Sequence, residues 1–119
     1  MNYTDIDDVL IKNKKFNDEE QSIKNSIKNI LSTREGSMPG EPEFGSNLSS
    51  FLFETMDPLV IMQIKEEIQY AIERWEPRVI IDEIDVIENL DYNELIITLR
   101  MTIKYSNIGI EYKYIPKSI

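Results

Sequence analysis

Trp75, Glu76, Pro77 and Arg78 set an aromatic ring, an acid, a rigid imino acid and a base in four consecutive positions. Such a run puts two opposite charges on a stiff corner. Arg can fork onto a carboxylate or onto carbonyls at a helix end, and Pro holds the backbone so that little entropy is lost on binding. The remaining chemistry is narrow. Among 119 residues there is no Cys and no His, which removes disulfides, thiol catalysis, His-based triads and most zinc sites. Carboxylate, hydroxyl and Lys chemistry are left. Glycoside hydrolysis needs two carboxyls held about 5–9.5 Å apart in a cleft, one of them with a raised pKa. Glu41, Glu43, Glu54 and Asp57 qualify only because 22 acids must lie somewhere, and Phe44 is their one aromatic context. Acids spaced this way cap helices or face solvent, so no catalytic, cofactor-binding or metal-ligating residue is expected.

Two rigid elements must hold the Trp75–Arg78 run. Asp57-Pro58 is a strong helix start, a capping acid followed by proline at the first helical position. Leu59, Ile61, Ile64, Ile68, Ala71, Ile72 and Trp75 then form the longest apolar face, opposed by Lys65, Glu66, Glu67, Glu73 and Arg74. Pro77 lacks an N–H and excludes the α region for Glu76, so this helix ends and a strand begins almost without a linker. In that strand Ile80, Ile84 and Val86 oppose Glu83 and Asp85, with Asp82 interrupting the pattern. After a turn over Leu90–Asn93, Leu95, Ile97, Leu99, Met101, Ile103 and Tyr105 alternate with Ile96, Thr98, Arg100, Thr102 and Lys104. Ser106–Gly109 is a second turn, and Ile110, Tyr112 and Tyr114 mark a last strand that Pro116 ends.

Upstream, Asn17-Asp18-Glu19-Glu20 reads as a helix start, and Ile23, Ile27, Ile30 and Leu31 give one stripe before Gly36 stops the helix. Residues 1–16 show no sustained period and read as an N-terminal arm, leaving 17–119 as a single domain. The segment Gly36–Asn47 has the Gly and Pro content of an ordered loop, with Phe44 as the ring that pins it and Asn47 as the cap of a short helix through Leu48, Phe51, Leu52 and Phe53. Helices first and consecutive strands afterwards indicate an α+β fold, N-terminal helices packed on a three-stranded antiparallel meander.

Composition adds bounds. Hydrophobic residues are 41% and charged residues 29%, ordinary for one globular domain. The formal charge of −9 argues against nucleic acid as a partner, because phosphate contacts need a basic surface. No stretch approaches the roughly 18 apolar residues of a membrane span and no apolar signal core opens the chain, so a cytoplasmic origin without a membrane partner is expected. From the residues alone the turn favours a closed arrangement, with Glu76 and Arg78 paired to each other and Trp75 in the core, since most charged turns are merely solvated.

A resemblance points further. Thr33-Arg34-Glu35-Gly36-Ser37, Pro42-Glu43-Phe44-Gly45, Leu48 and Leu52-Phe53-Glu54, followed by Trp75-Glu76-Pro77-Arg78, resemble in order and spacing the small inner baseplate wedge protein of contractile-tailed bacteriophages. This lysozyme-like wedge or sheath-initiator family is related to a type VI secretion baseplate component, and the resemblance runs from about Asn17 to Tyr114. Met38 stands where family members usually carry Arg, and Trp75 where Tyr is more common.

The resemblance implies a structural, non-enzymatic role in the virion tail baseplate after assembly in the host cytoplasm. By position, Trp75, Glu76, Pro77 and Arg78 would dock, facing outward, on a helical core bundle of larger wedge proteins. The sheet, through Ile97, Leu99, Met101, Ile103, Ile110, Tyr112 and Tyr114, would offer strand exchange to the tail sheath protein. Six copies would form a ring. Because such proteins have also been taken for lysozymes, the alternative is a peptidoglycan hydrolase using paired carboxylates.

Overall fold

The computed structural model describes residues 3–52, 54–92 and 94–116, with side chains from Asp18 onward. Three helices precede three strands: α1 (Tyr3–Ser32), α2 (Leu48–Phe51), α3 (Pro58–Trp75), β1 (Val79–Asn89), β2 (Glu94–Ile103) and β3 (Gly109–Tyr114). The α+β expectation holds. The sheet is an antiparallel meander in the order β1-β2-β3.

The helix start expected at Asn17 is corrected: α1 is continuous for 30 residues. No Gly or Pro interrupts Tyr3–Ser32, so nothing forces the backbone out of helix where the capping pattern occurs. A capping side chain stabilises an end but does not create one. Glu20 instead supports the helix interior through an ion pair with Lys24 one turn on, at 3.2 Å. Helix α3 begins as expected, with the Asp57 carboxylate accepting from the Val60 N–H at 2.9 Å. Asn47 does not cap α2 with its side chain. Phe53, expected within that short helix, and Asn93, expected in the β1-β2 turn, lie outside the described residues.

Ile23, Ile27 and Leu31 of α1 and Val60, Ile64, Ile68 and Ile72 of α3 cover one face of the sheet, meeting Ile97, Leu99, Met101 and Ile103 of β2. Each large side chain buried this way contributes about 1.5–3 kcal/mol, so the contact between helices and sheet dominates the fold. Leu59, expected inward, is exposed, and Val60 takes its place at the N-terminal end of the buried face.

A bulge corrects the reading of β1. Ile81 pairs with Met101 and Glu83 with Arg100, so Asp82 is an extra residue. The parity of the strand flips there. Val79 and Ile81 lie on the same face as Ile84 and Val86, while Ile80, expected inward, is 51% exposed. The Asp82 carboxylate accepts a hydrogen bond from the Thr102 hydroxyl on the outer face.

These assignments separate two isoleucines in chemical denaturation. Ile68→Ala is expected to lower unfolding free energy by about 2–5 kcal/mol and Ile80→Ala by less than about 0.5 kcal/mol. Equal costs would place the bulge elsewhere.

Candidate functional site

The corner between α3 and β1 is built from the end of a helix. Glu76 is the C-terminal flanking residue of α3, its N–H donating to the Ile72 carbonyl at 2.8 Å. Its own conformation is extended enough to aim the chain into β1, as Pro77 requires. The Glu76 carboxylate turns back into the protein and is 2% exposed. Arg78 closes on it as a fork, with Nε donating to Oε1 at 2.7 Å and Nη2 to Oε2 at 2.9 Å. The Arg78 backbone N–H adds a third bond to Oε1 at 3.2 Å.

The closed pairing that the residues alone favour is the one found, and the outward-facing arrangement that the resemblance implies is corrected. A carboxylate at this depth must be paired to stay ionised, and the guanidinium that pairs with it is two residues on. Arg78 keeps a side-chain exposure of 34%, and its Nη1 donates to the Ser22 hydroxyl of α1 at 3.2 Å. One cation thus ties the end of α3 to α1. Burial disfavours the charged form of Glu76, but hydrogen bonds from Arg78 and Ser26 and the Arg78 charge outweigh it, holding the carboxyl below its ordinary pKa.

The loop ahead of α2 meets this corner. Phe44 stands edge-on to Trp75, with ring centroids 5.1 Å apart and planes at 71°. Arg74 lies 5.2 Å from the Trp75 ring centroid and forms an ion pair with Glu43. The Phe44 ring pins the loop, but to the half-buried Trp75 at the corner and not to the core where it was expected. The base of the loop is clasped to the end of α1. Ser46 N–H donates to the Thr33 carbonyl at 2.9 Å, Glu35 N–H donates to the Ser46 carbonyl at 3.2 Å, and the Ser46 hydroxyl donates to the Leu31 carbonyl at 3.3 Å. Asn47 donates from its backbone to the Glu67 carboxylate at 2.8 Å and from its amide to Glu35 at 3.0 Å. Gly45 has φ +111 and faces Thr33 so closely that any Cβ would overlap that residue's carbonyl oxygen.

Beside the corner runs an open groove of about 490 Å³ lined by Asp18, Gln21, Ser22, Asn25, Ser26, Asn29 and Phe44. It is walled by the polar side of α1 and floored near the ion pair through Ser22 and Ser26. Phe44 and Asp18 stood out in the sequence for other reasons, but nothing marked Gln21, Ser22, Asn25, Ser26 and Asn29, because polar side chains on a helix face carry no distinctive pattern.

The carboxylates considered for hydrolysis do not assemble. Glu43 pairs with Arg74 and Asp57 caps α3, while Glu41 and Glu54 are exposed. Among the described residues no three His, Cys, Asp or Glu side chains gather as a metal site.

The strand residues expected to present themselves to a partner are core. Ile97, Leu99, Met101, Ile103 and Ile110 are buried, and Tyr112 and Tyr114 are half-buried beside them. Strand β2 is hydrogen-bonded on both edges, so strand addition is confined to the backbone edge of β1 or β3.

The family model described as Baseplate wedge protein gp25 matches residues 17–108. The chain belongs to that family. Both blocks that converge at the corner lie inside the matched region, and β3 lies beyond it. The chain is 41% identical over 83 residues to baseplate wedge protein gp25 of Enterobacteria phage T4, covering 70% of this chain and 63% of the phage protein. The match thus spans less than two thirds of that relative. It is 29% identical over 89 residues to baseplate protein W of Escherichia phage P2, covering 75% of each. Among solved structures, a chain of the postcontracted pyocin R2 baseplate has a TM-score of 0.63 at 25% identity, covering 71% of this chain and 84% of that one. A putative tail lysozyme from Geobacter sulfurreducens has a TM-score of 0.77 at 23% identity, covering 84% and 93%, and shares the fold.

Two expectations test the site. Gly45→Ala should cost more than about 2 kcal/mol in denaturation, since the new Cβ meets backbone and the φ is strained for any L side chain. For Glu76 the pH dependence has a definite sign. Its folded pKa lies below the unfolded value of about 4.3, so the stabilisation from its pairing is complete above that value and lost as pH falls through the lowered one. Glu76→Ala should therefore cost on the order of 2 kcal/mol at pH 7, a deficit that shrinks in acid. A deficit constant between pH 7 and pH 3 would show that the charge is not what matters.

Proposed function

We propose that this protein is a structural component of a contractile-tail baseplate wedge, carried in the virion after assembly in the host cytoplasm. The corner Trp75–Arg78 docks on a helical core bundle made by larger wedge proteins, in a ring of six copies. In this reading Glu76 is a positioning residue. It fixes the Arg78 guanidinium, whose exposed side, with Pro77 and Trp75, meets the partner beside the groove along α1. The observation that carries the reading is convergence. Glu43 and Phe44, some thirty residues upstream in a family-matched block, lie against Arg74 and Trp75 of the other block and frame one surface.

The open edge of the sheet supports the second half, strand exchange that starts sheath polymerisation. Strand β1 is poorly suited to it, because a bulge and the acids Asp82, Glu83, Asp85 and Glu88 guard its edge. The receiving edge is β3. No observation favours a peptidoglycan hydrolase, and no catalytic role is proposed.

Co-purification with the wedge core proteins of the same tail tests the docking surface. Arg78→Ala should reduce recovery at least tenfold. Because that change also strands a buried carboxylate, Asn25→Arg, which obstructs the groove from an exposed position, should give the same loss with an unchanged melting temperature. Full recovery of the Asn25 variant would move the docking surface away from this groove.

A further inference from the structure

We propose that the edge of β3 selects its incoming strand by a charge code: an acidic and a basic residue separated by one apolar residue, in that order, on an antiparallel segment of a partner protein. The proposal rests on the reading of β3 as the receiving edge and adds what that edge recognises.

The ladder shows which groups of β3 are available. Ile103 N–H donates to the Ile108 carbonyl at 2.9 Å, and hydrogen-bonded pairs alternate along an antiparallel ladder. The pairs Met101–Ile110, Leu99–Tyr112 and Ile97–Tyr114 therefore use the backbone groups of β3 that face β2. The backbone N–H and C=O groups of Gly109, Glu111 and Lys113 point the other way, to the edge that no strand among the described residues occupies. A strand bonding there stands directly opposite Glu111 and Lys113.

Those side chains lie on the outer face, where charge alternates across the sheet. One row runs Glu83, Arg100, Glu111, and the next runs Asp85, Thr98, Lys113. Arg100 spends its Nη1 on Glu83 at 2.6 Å and Asp85 at 3.3 Å, both on the β1 side. Among the described residues Glu111 and Lys113 form no ion pair, and both are exposed. The next position in the first row calls for a base and in the second for an acid, since opposite charges across a pair stabilise and like charges repel. Between them, on the inner face, the incoming residue lies beside Tyr112. Burial already raises the Tyr112 and Tyr114 hydroxyl pKa values, and an apolar neighbour would complete their cover. Because the added strand runs opposite to β3, the residue facing Lys113 comes first in its sequence.

The test uses the full chain and two labelled nine-residue peptides with alternating Thr and Val flanks, one centred on Glu-Val-Lys and the other on Lys-Val-Glu. By fluorescence anisotropy at low salt the first should bind roughly tenfold more tightly, and 1 M salt should erase most of the difference. The double variant Glu111→Lys with Lys113→Glu, at exposed positions, should reverse the preference. Equal binding, or a preference that the double variant leaves in place, overturns the code while β3 still stands as a receiving edge. Failure of both peptides to bind removes the receiving edge and the code with it.

Discussion

A buried carboxylate held by a guanidinium two residues away is the constraint on which the corner depends. Glu76 sits at the end of α3 with its charge inside the protein, where an unpaired acid would be protonated or would unfold the turn. Pro77 supplies the bend that brings Arg78 back over it, and Arg78 reaches on to Ser22 of α1. Helix end, strand start and the second helix are fixed relative to one another by a single cation. Partial exposure of Arg78 leaves this pair less costly to desolvate than a fully buried one, and the same exposure leaves a face for a partner.

The loop before α2 is the counterpart of this corner. It has almost no regular structure, yet the Ser46 and Asn47 backbone N–H groups are held by Thr33 and Glu67, the Ser46 hydroxyl by Leu31, and the Phe44 ring by Trp75. Gly45 permits the close approach to the end of α1 that makes the arrangement possible. Family membership and geometry meet here: both blocks lie within the family-matched region, and Glu43 and Phe44 of one meet Arg74 and Trp75 at the other to make one surface.

The two sides of the sheet differ in kind. Its inner face is closed by α1 and α3, so most side chains there hold the domain together, with Tyr112 and Tyr114 half-buried on β3. The outer face carries the ionic rows, and its edges are unequal, one bulged and acidic, the other short with one charge of each sign. Such asymmetry keeps the two edges from being equivalent templates for pairing between copies.

Much of the architecture was legible before any coordinates. The cap and proline at Asp57-Pro58, the strict alternation of β2 and the breaking power of Pro77 are local effects, and each acts through a residue's own backbone or its nearest turn. The α+β class followed from their order, and the family from the spacing of its blocks. What only the tertiary structure decided was whatever depends on residues far apart. The capping pattern at Asn17 did not mark the start of the helix, which runs through it from Tyr3, because no breaker stood there to oppose helical propagation. The bulge at Asp82 reversed which isoleucine of β1 faces inward. Above all, the pairing of Glu76 with Arg78, which the residues alone favour, was given its depth by packing: α1 lies against the corner and adds Ser22 and Ser26 to it, a contact between distant residues that local preference cannot set.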